Sequence, residues 1–124
     1  MKLRIDGDSI RLRLSRSEVA EFAERGRVED TVRFGHGAVL RYVLESAQNA
    51  RSTRARFDYD CIRVSVPGQV AGQWAATNEV SITAEQPLEG HHQLSIVIEK
   101  DFQCLHKPGE KDTDAFPNPL AARD

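Results

Sequence analysis

The 124-residue chain has little of what usually announces a chemistry: two cysteines, one tryptophan, one methionine and four histidines. Cys61 and Cys104 are too few for a disulfide framework, and in a chain read as cytosolic they are expected to stay reduced. Nothing approaches the run of about 18 apolar residues that a membrane helix needs, and Met1 leads straight into a charged, strand-like segment with no signal-type apolar region. The expectation is a soluble, cytoplasmic protein with no membrane contact. A Walker loop, a dinucleotide glycine motif and a nucleophile elbow are all missing. Ser9, Ser15 and Ser17 have no evident histidine partner. No catalytic residue is assigned, and the chain reads as a non-enzyme.

Strong charge of one sign is also lacking. The formal net charge is −2, but it is unevenly spread. Residues 1–66 carry 13 Lys/Arg against 10 Asp/Glu, and residues 67–124 carry 4 against 9. The basic excess of the first half falls well short of a nucleic-acid binder's. Opposite charge in the two halves could support self-association into a homodimer.

What the sequence does have is a repeat. Sliding residues 4–31 onto 56–83 makes eight of 28 positions identical: Arg4/Arg56, Asp6/Asp58, Asp8/Asp60, Ile10/Ile62, Arg11/Arg63, Ala23/Ala75, Val28/Val80 and Thr31/Thr83. Phe22 falls on Trp74, and after a two-residue insertion Leu40–Glu45 falls on Leu94–Glu99. Each copy has an apolar face that the other can cover. A single duplicated domain over residues 1–100 is expected, with repeat one at 2–46, repeat two at 54–100 and a C-terminal tail at 101–124.

Within a copy, Leu3 and Ile5, then Ile10, Leu12 and Leu14, alternate with Lys and Arg as half-buried strands do. Asp6-Gly7-Asp8 between them predicts a hairpin turn. Ser15-Arg-Ser-Glu18 is a capping box, Val19, Phe22 and Ala23 form a helical stripe, and Gly26 ends the helix. Two strands turning at Gly35-His-Gly37 complete the copy. In the second copy Asp58-Tyr-Asp60 is the turn and Pro67 opens the helix. Val70, Ala71 and Trp74 are its buried stripe, Asn78 ends it, and strands at Val80–Ala84 and Gln93–Glu99 are joined by a loop at Gln86–His92. The fold class predicted is α+β and β-rich: a compact, barrel-like domain of two tandem strand-hairpin-strand-helix-strand-strand repeats with pseudo-twofold symmetry.

The segment LRIDGDSIRLRLSRSEVAEFAERGRVEDTV resembles the swapped-hairpin and double-psi β-barrel proteins, including AbrB-type bacterial regulators, which implies a nucleic-acid-binding alternative. The chain departs from them in its fourth strand per copy, in carrying both copies itself and in lacking a concentrated basic loop. LRI-x-G-x-SIRLRL at Leu3–Leu14, Ser-Glu-Val-Ala at 17–20, EKDF-x-CLH at Glu99–His106 and DAFPNP at Asp114–Pro119 are similar to a family of small uncharacterised bacterial proteins. That resemblance implies no activity.

Three groups of residues could carry function. Asp101, Cys104 and His106, with His91, His92 or His36 completing a tetrahedron, are ligand types that zinc takes, although zinc sites usually show two spaced pairs. The simpler reading makes Cys104 a buried small residue and His106 a surface one. Arg4, Arg11, Arg13, Arg56 and Arg63, with Lys2 and Arg54, project from the outward strand faces as a doubled guanidinium patch for an anion or partner; cross-strand ion pairs on a solvated face are the competing reading. Asp6, Asp8, Asp58 and Asp60 occupy equivalent turns and either bind a hard cation or satisfy turn backbone. The tail offers Phe116, Pro117, Asn118 and Pro119 as a stiff apolar tip, and Phe102, Leu105 and Phe116 could pin parts of it to the domain. A non-enzymatic binding or regulatory module with a protein partner asks for no chemistry that is missing; a zinc-binding protein is the alternative.

Overall fold

The structure is a computed structural model that describes residues 1–102 and Phe116. The element order is β1 (Lys2–Ile5), β2 (Ser9–Leu14), α1 (Arg16–Arg25), β3 (Arg27–Gly35), β4 (Ala38–Ala47), β5 (Arg54–Asp58), β6 (Cys61–Pro67), α2 (Gly68–Ala76), β7 (Ser81–Pro87) and β8 (Gln93–Lys100). The strands make two four-stranded sheets, ordered β1-β2-β8-β7 and β3-β4-β6-β5. The expected barrel does not close: β1, β7, β3 and β5 remain edge strands. Each sheet is two antiparallel hairpins joined at its centre by a parallel pair, β2 with β8 and β4 with β6.

Alternation decides which faces meet. Ile10, Leu12 and Leu14 on β2, Ile62, Val64 and Val66 on β6, and Leu44, Ile96 and Ile98 on the central partners form one core. Two helices stopper one end of it. The Ser15 hydroxyl accepts from the Glu18 N–H while the Glu18 carboxylate accepts from the Ser15 N–H, so the predicted capping box starts α1. Gly26, at φ 71°, ends it in the left-handed conformation that a glycine takes at least cost. Phe22 and Trp74 meet edge to face at 6.1 Å, a contact worth about 0.5–1.5 kcal/mol beyond the area it buries. Trp74 is fully buried, and its indole N–H donates to the Val80 carbonyl at 3.2 Å.

Three expectations change here. Pro67 is the N-cap rather than the first helical residue, and Thr77 in extended conformation, not Asn78, caps the C-terminus of α2. Val70, expected in the buried stripe, is 40% exposed. The register also moves the two-residue offset between the two segments aligned in the sequence. Val28 pairs with Leu44, and Ile82 with Ile98, so Ile82 holds the place of Val28. Val28 is 3% exposed and Val80 46%, so the identity of those two in sequence is fortuitous. The extra residues sit in the Thr77–Val80 connection, and they carry Gln86 and Pro87, expected in the loop, into β7.

At the two seams between the sheets, side chains and the chain terminus take over from the ladder. The Gln86 carboxamide accepts from the Ala55 N–H at 2.7 Å and donates to the Ala55 carbonyl at 3.1 Å, tying β7 to β5. At the other seam the Met1 ammonium pairs with Glu18 and with Asp30 at 2.7 Å, and the Tyr42 hydroxyl donates to the Met1 carbonyl at 2.9 Å. No helix among the described residues is long and apolar enough to cross a membrane.

Candidate functional site

All four hairpin connections lie at the end of the sandwich opposite the helices. Between them the core is open. Ile5, Ile10, Leu40, Phe57, Ile62 and Leu94 line a hollow of about 440 Å³ whose walls are almost wholly apolar. Ile5 and Phe57 sit at its rim, 62% and 66% exposed, because β1 and β5 end there with no strand beyond to cover them. Both read as core residues from alternation alone. Alternation gives the face of a sheet that a side chain occupies, not whether that face continues past it.

The turns around this mouth are tightly built. Asp8 and Asp60 lend main-chain carbonyls to the Ser95 and Arg41 N–H groups of the neighbouring parallel strands, both at 2.9 Å. These are main-chain bonds; of the turn carboxylates, Asp58 lies 3.8 Å from Arg56 and Asp8 3.7 Å from His92, and among the described residues no three His, Cys, Asp or Glu side chains converge as a metal site would require. Tyr59 and Asp60 take left-handed φ of 49° and 60°, the conformation of a two-residue hairpin turn. Tyrosine is a costly residue there, where glycine or asparagine fits more easily. Tyr59 is 97% exposed and borders a hollow it shares with Arg41, Cys61 and Arg63 on the outward face of the second sheet.

The predicted guanidinium patch becomes two, one on each sheet's outward face. Arg4 lies directly across from Arg11, and Arg56 directly across from Arg63. Like charges directly opposite destabilise a strand pair, so each face needs anions. On the first sheet Glu99 supplies them: Arg13 donates to it at 2.8 and 2.9 Å, and Arg11 reaches it at 3.4 Å. Lys2 sits 3.4 Å from Asp101.

The second sheet differs at the position of Arg13. Ser65 stands where the first sheet has Arg13, and its hydroxyl takes up Glu45 at 2.9 Å. Arg63 is left 3.8 Å from Glu45, and Arg56 3.8 Å from Asp58. Arg63 Nε is enclosed with no hydrogen-bond acceptor. A groove of about 570 Å³ lies over this face, lined by Arg51, Arg54, Arg56 and Arg63 with Ser52, Ser65 and Gln86 among its walls.

The zinc candidates are dispersed where they can be placed. His91 and His92 lie in the β7–β8 connection at the mouth, with His92 Nδ1 3.7 Å from Asp8. Asp101 follows β8 at the far end, about 25 Å away along an eight-residue strand. Those histidines therefore cannot complete one site with Asp101. His36 is at the β3–β4 turn. Cys104 and His106 lie outside the described residues, as do Pro117, Asn118 and Pro119 of the tail tip. Phe116 is half-buried against the core, its ring 5.9 Å from that of Phe102 and its N–H donating to the Asp101 carbonyl at 2.7 Å. It is docked at the helix end.

Lys100 is the one buried Lys or Arg side chain among the described residues. Its ammonium donates to the Thr77 carbonyl at 2.7 Å and lies 5.4 Å from the centre of the Trp74 ring. Burial lowers its pKa, against a weaker opposing pull from Glu79. It fixes the Thr77–Val80 connection and faces away from the mouth. The strand expected from the sequence ends at Glu99; in the structure Lys100 is the last residue of β8 and shares the inward face of Ile96 and Ile98.

No curated protein and no solved structure matches the chain. One family does, the family of unknown function DUF7009, over residues 1–120. The match is consistent with the small uncharacterised family expected from the sequence, and the chain belongs to DUF7009.

Proposed function

We propose that this protein is a non-enzymatic binding module whose ligand enters the apolar mouth between the sheets. One observation carries the reading: six large apolar side chains line an open hollow of about 440 Å³ at the end of the molecule that bears all the hairpin turns. A pocket of this size and lining is where ligands are usually received. Ile5, Phe34, Phe57, Tyr59 and Leu88, all exposed, belong to strand ends and turns at this same end. Apolar surface gathered at one end is a mark of interaction.

The duplication supports the same reading. Matching β1–β4 to β5–β8 turns the order β1-β2-β8-β7 into β5-β6-β4-β3, the order of the other sheet read backwards. The mouth then falls where the two copies meet, since its lining consists of equivalent pairs: Ile5 with Phe57, Ile10 with Ile62, and Leu40 with Leu94. At the opposite end the equivalent pair Phe22 and Trp74 closes the same axis. The arrangement has one end sealed by aromatic helices and one end left to receive a ligand.

Nile red, a neutral apolar dye, tests this. Its fluorescence should rise to saturation at one dye per chain. The variant Ile5→Ser/Phe57→Ser should lose the rise while melting close to the parent, because both side chains are already more than half exposed. An equal rise in the variant would place the dye elsewhere and sink the reading.

A further inference from the structure

The mouth and the arginine groove of the second sheet adjoin. Both are lined by Ala55 and Arg56, on the edge strand β5. Along that strand the wall passes from Phe57, which faces the mouth, to Arg54 and Arg56, which face the groove. Resting on the mouth as the ligand entrance, we propose that the two form one bipartite site for a free small amphipathic anion, an alkyl or ring body bearing a carboxylate or phosphate. The apolar body occupies the mouth, and the anionic head lies against Arg54, Arg56 and Arg63.

The charge of the groove argues for this occupant. Of its four arginines, Arg51 and Arg54 have no anionic partner among the described residues, and Arg56 and Arg63 keep theirs only at 3.8 Å. Arg56 and Arg63 face each other directly across the strand pair, a repulsion that an anion between them would relieve. Arg63 Nε is enclosed and turned toward Glu45 at 3.8 Å, beyond hydrogen-bond reach, while about a third of the side chain stays open to the groove, where a carboxylate or phosphate oxygen would meet the guanidinium. The first sheet serves as an internal control. It carries the same crossed arginine pair, but there Glu99 already bonds Arg13 and Arg11, and the surface over Lys2, Arg4, Arg11 and Arg13 is a shallow dip of about 140 Å³. With serine at position 65, the second face has a vacant place for an external anion. Arginine suits it, because a planar guanidinium meets either head group with two parallel hydrogen bonds.

Titration calorimetry with four eight-carbon probes separates the contributions: octanoate, octyl phosphate, n-octanol and octylammonium, with acetate as the head group alone. Octanoate and octyl phosphate should bind at least about tenfold more tightly than n-octanol, a difference of about 1.4 kcal/mol. Octylammonium should bind more weakly than n-octanol, and acetate should give no measurable heat. The ratio of octanoate to octyl phosphate affinity tells which head the groove prefers. Arg56→Gln/Arg63→Gln should bring octanoate down to the level of n-octanol and leave n-octanol unchanged. Phe57→Ser should weaken both. Equal affinity for octanoate and n-octanol, or an arginine variant with undiminished octanoate binding, would overturn the anion inference and leave the mouth standing. No binding of n-octanol, together with octanoate binding indifferent to Phe57→Ser, would remove the mouth and the bipartite site with it.

Discussion

Replacing Gln86 with leucine removes the only side-chain clasp described between β5 and β7. The carboxamide makes two hydrogen bonds to one residue, accepting from the Ala55 N–H at 2.7 Å and donating to its carbonyl at 3.1 Å. A neutral hydrogen bond contributes roughly 0.5–1.5 kcal/mol net, and a buried backbone group left without a partner costs about 1–3 kcal/mol. The seam is only part-buried, so water can take up one of the two groups, and the loss should be about 2 kcal/mol. For a chain of 124 residues that lowers the melting temperature by roughly 8 °C. Thermal melting followed by circular dichroism gives the global figure. Amide hydrogen exchange at Ala55 gives the local one, and protection there should fall more than at Arg54 and Arg56. Gln86→Glu divides the clasp: its carboxylate still accepts from the Ala55 N–H but has nothing to donate to the carbonyl. It should keep Ala55 protected at about half the loss of stability. If Gln86→Leu melted within about 2 °C of the parent with Ala55 exchange unchanged, packing alone would hold the seam, and the reasoning would fail.

Two further outcomes concern pH. Burial alone would raise the Glu18 carboxyl, but hydrogen bonds from the Met1 ammonium and Ser15 hold it below its ordinary 4.5, so its contribution is complete above that value and lost as pH falls through the lowered one. Burial would likewise lower the Met1 ammonium, but hydrogen bonds to Asp30 and Glu18 outweigh it and raise the pKa above 8.0; that contribution is complete below 8.0 and lost as pH climbs through the raised value. Glu18→Gln keeps an acceptor for the Ser15 N–H but removes the charge, so denaturant melts should show about 1–2 kcal/mol lost at neutral pH and a flatter acid limb. An unchanged acid limb would mean that the pair contributes nothing. Lys100 has the opposite alkaline sign. With its pKa lowered by burial, the folded state disfavours its charge, so its contribution to stability improves as pH rises from the lowered value toward 10.5. The stability of Lys100→Met minus that of the parent should therefore decline over that window, and a constant difference would contradict the assignment.

Local structure was legible because its signals are local. The capping box at Ser15 and Glu18, the stop at Gly26 and the turn at Tyr59 and Asp60 each follow from a few adjacent residues, and the structure has all three. Strand neighbours were not legible, since β2 beside β8 and β4 beside β6 join segments far apart in the chain. The offset between copies was misplaced because Val28/Val80 and Thr31/Thr83 match by chance, and only cross-strand register exposes it. Gln86 was read as loop because Pro87 and Gly90 follow it. Of the candidate site, strand alternation placed the arginines on outward faces. Which pair lacks its counter-ion was hidden, because Glu45 and Glu99 are both present and the difference lies in Arg13 against Ser65. The mouth was hidden for a different reason: Ile5 and Phe57 belong to the same alternating pattern as the core and differ only in lying where their strands stop.

The parallel pairs at the centre of each sheet have a consequence for how the chain comes into being. Each sheet takes one hairpin from either half, so β2 finds its central neighbour only when β8, the last strand described, has been made. During synthesis the first half therefore leaves the ribosome with an open strand edge and an uncovered apolar face, and such a species is prone to aggregate until the second half arrives. Pairing over so long a separation also makes folding slow for a domain of this size. The same interlocking makes the halves interdependent: a chain cut in the Gln48–Thr53 link would yield two fragments, neither able to finish a sheet, that recover the fold only by finding each other.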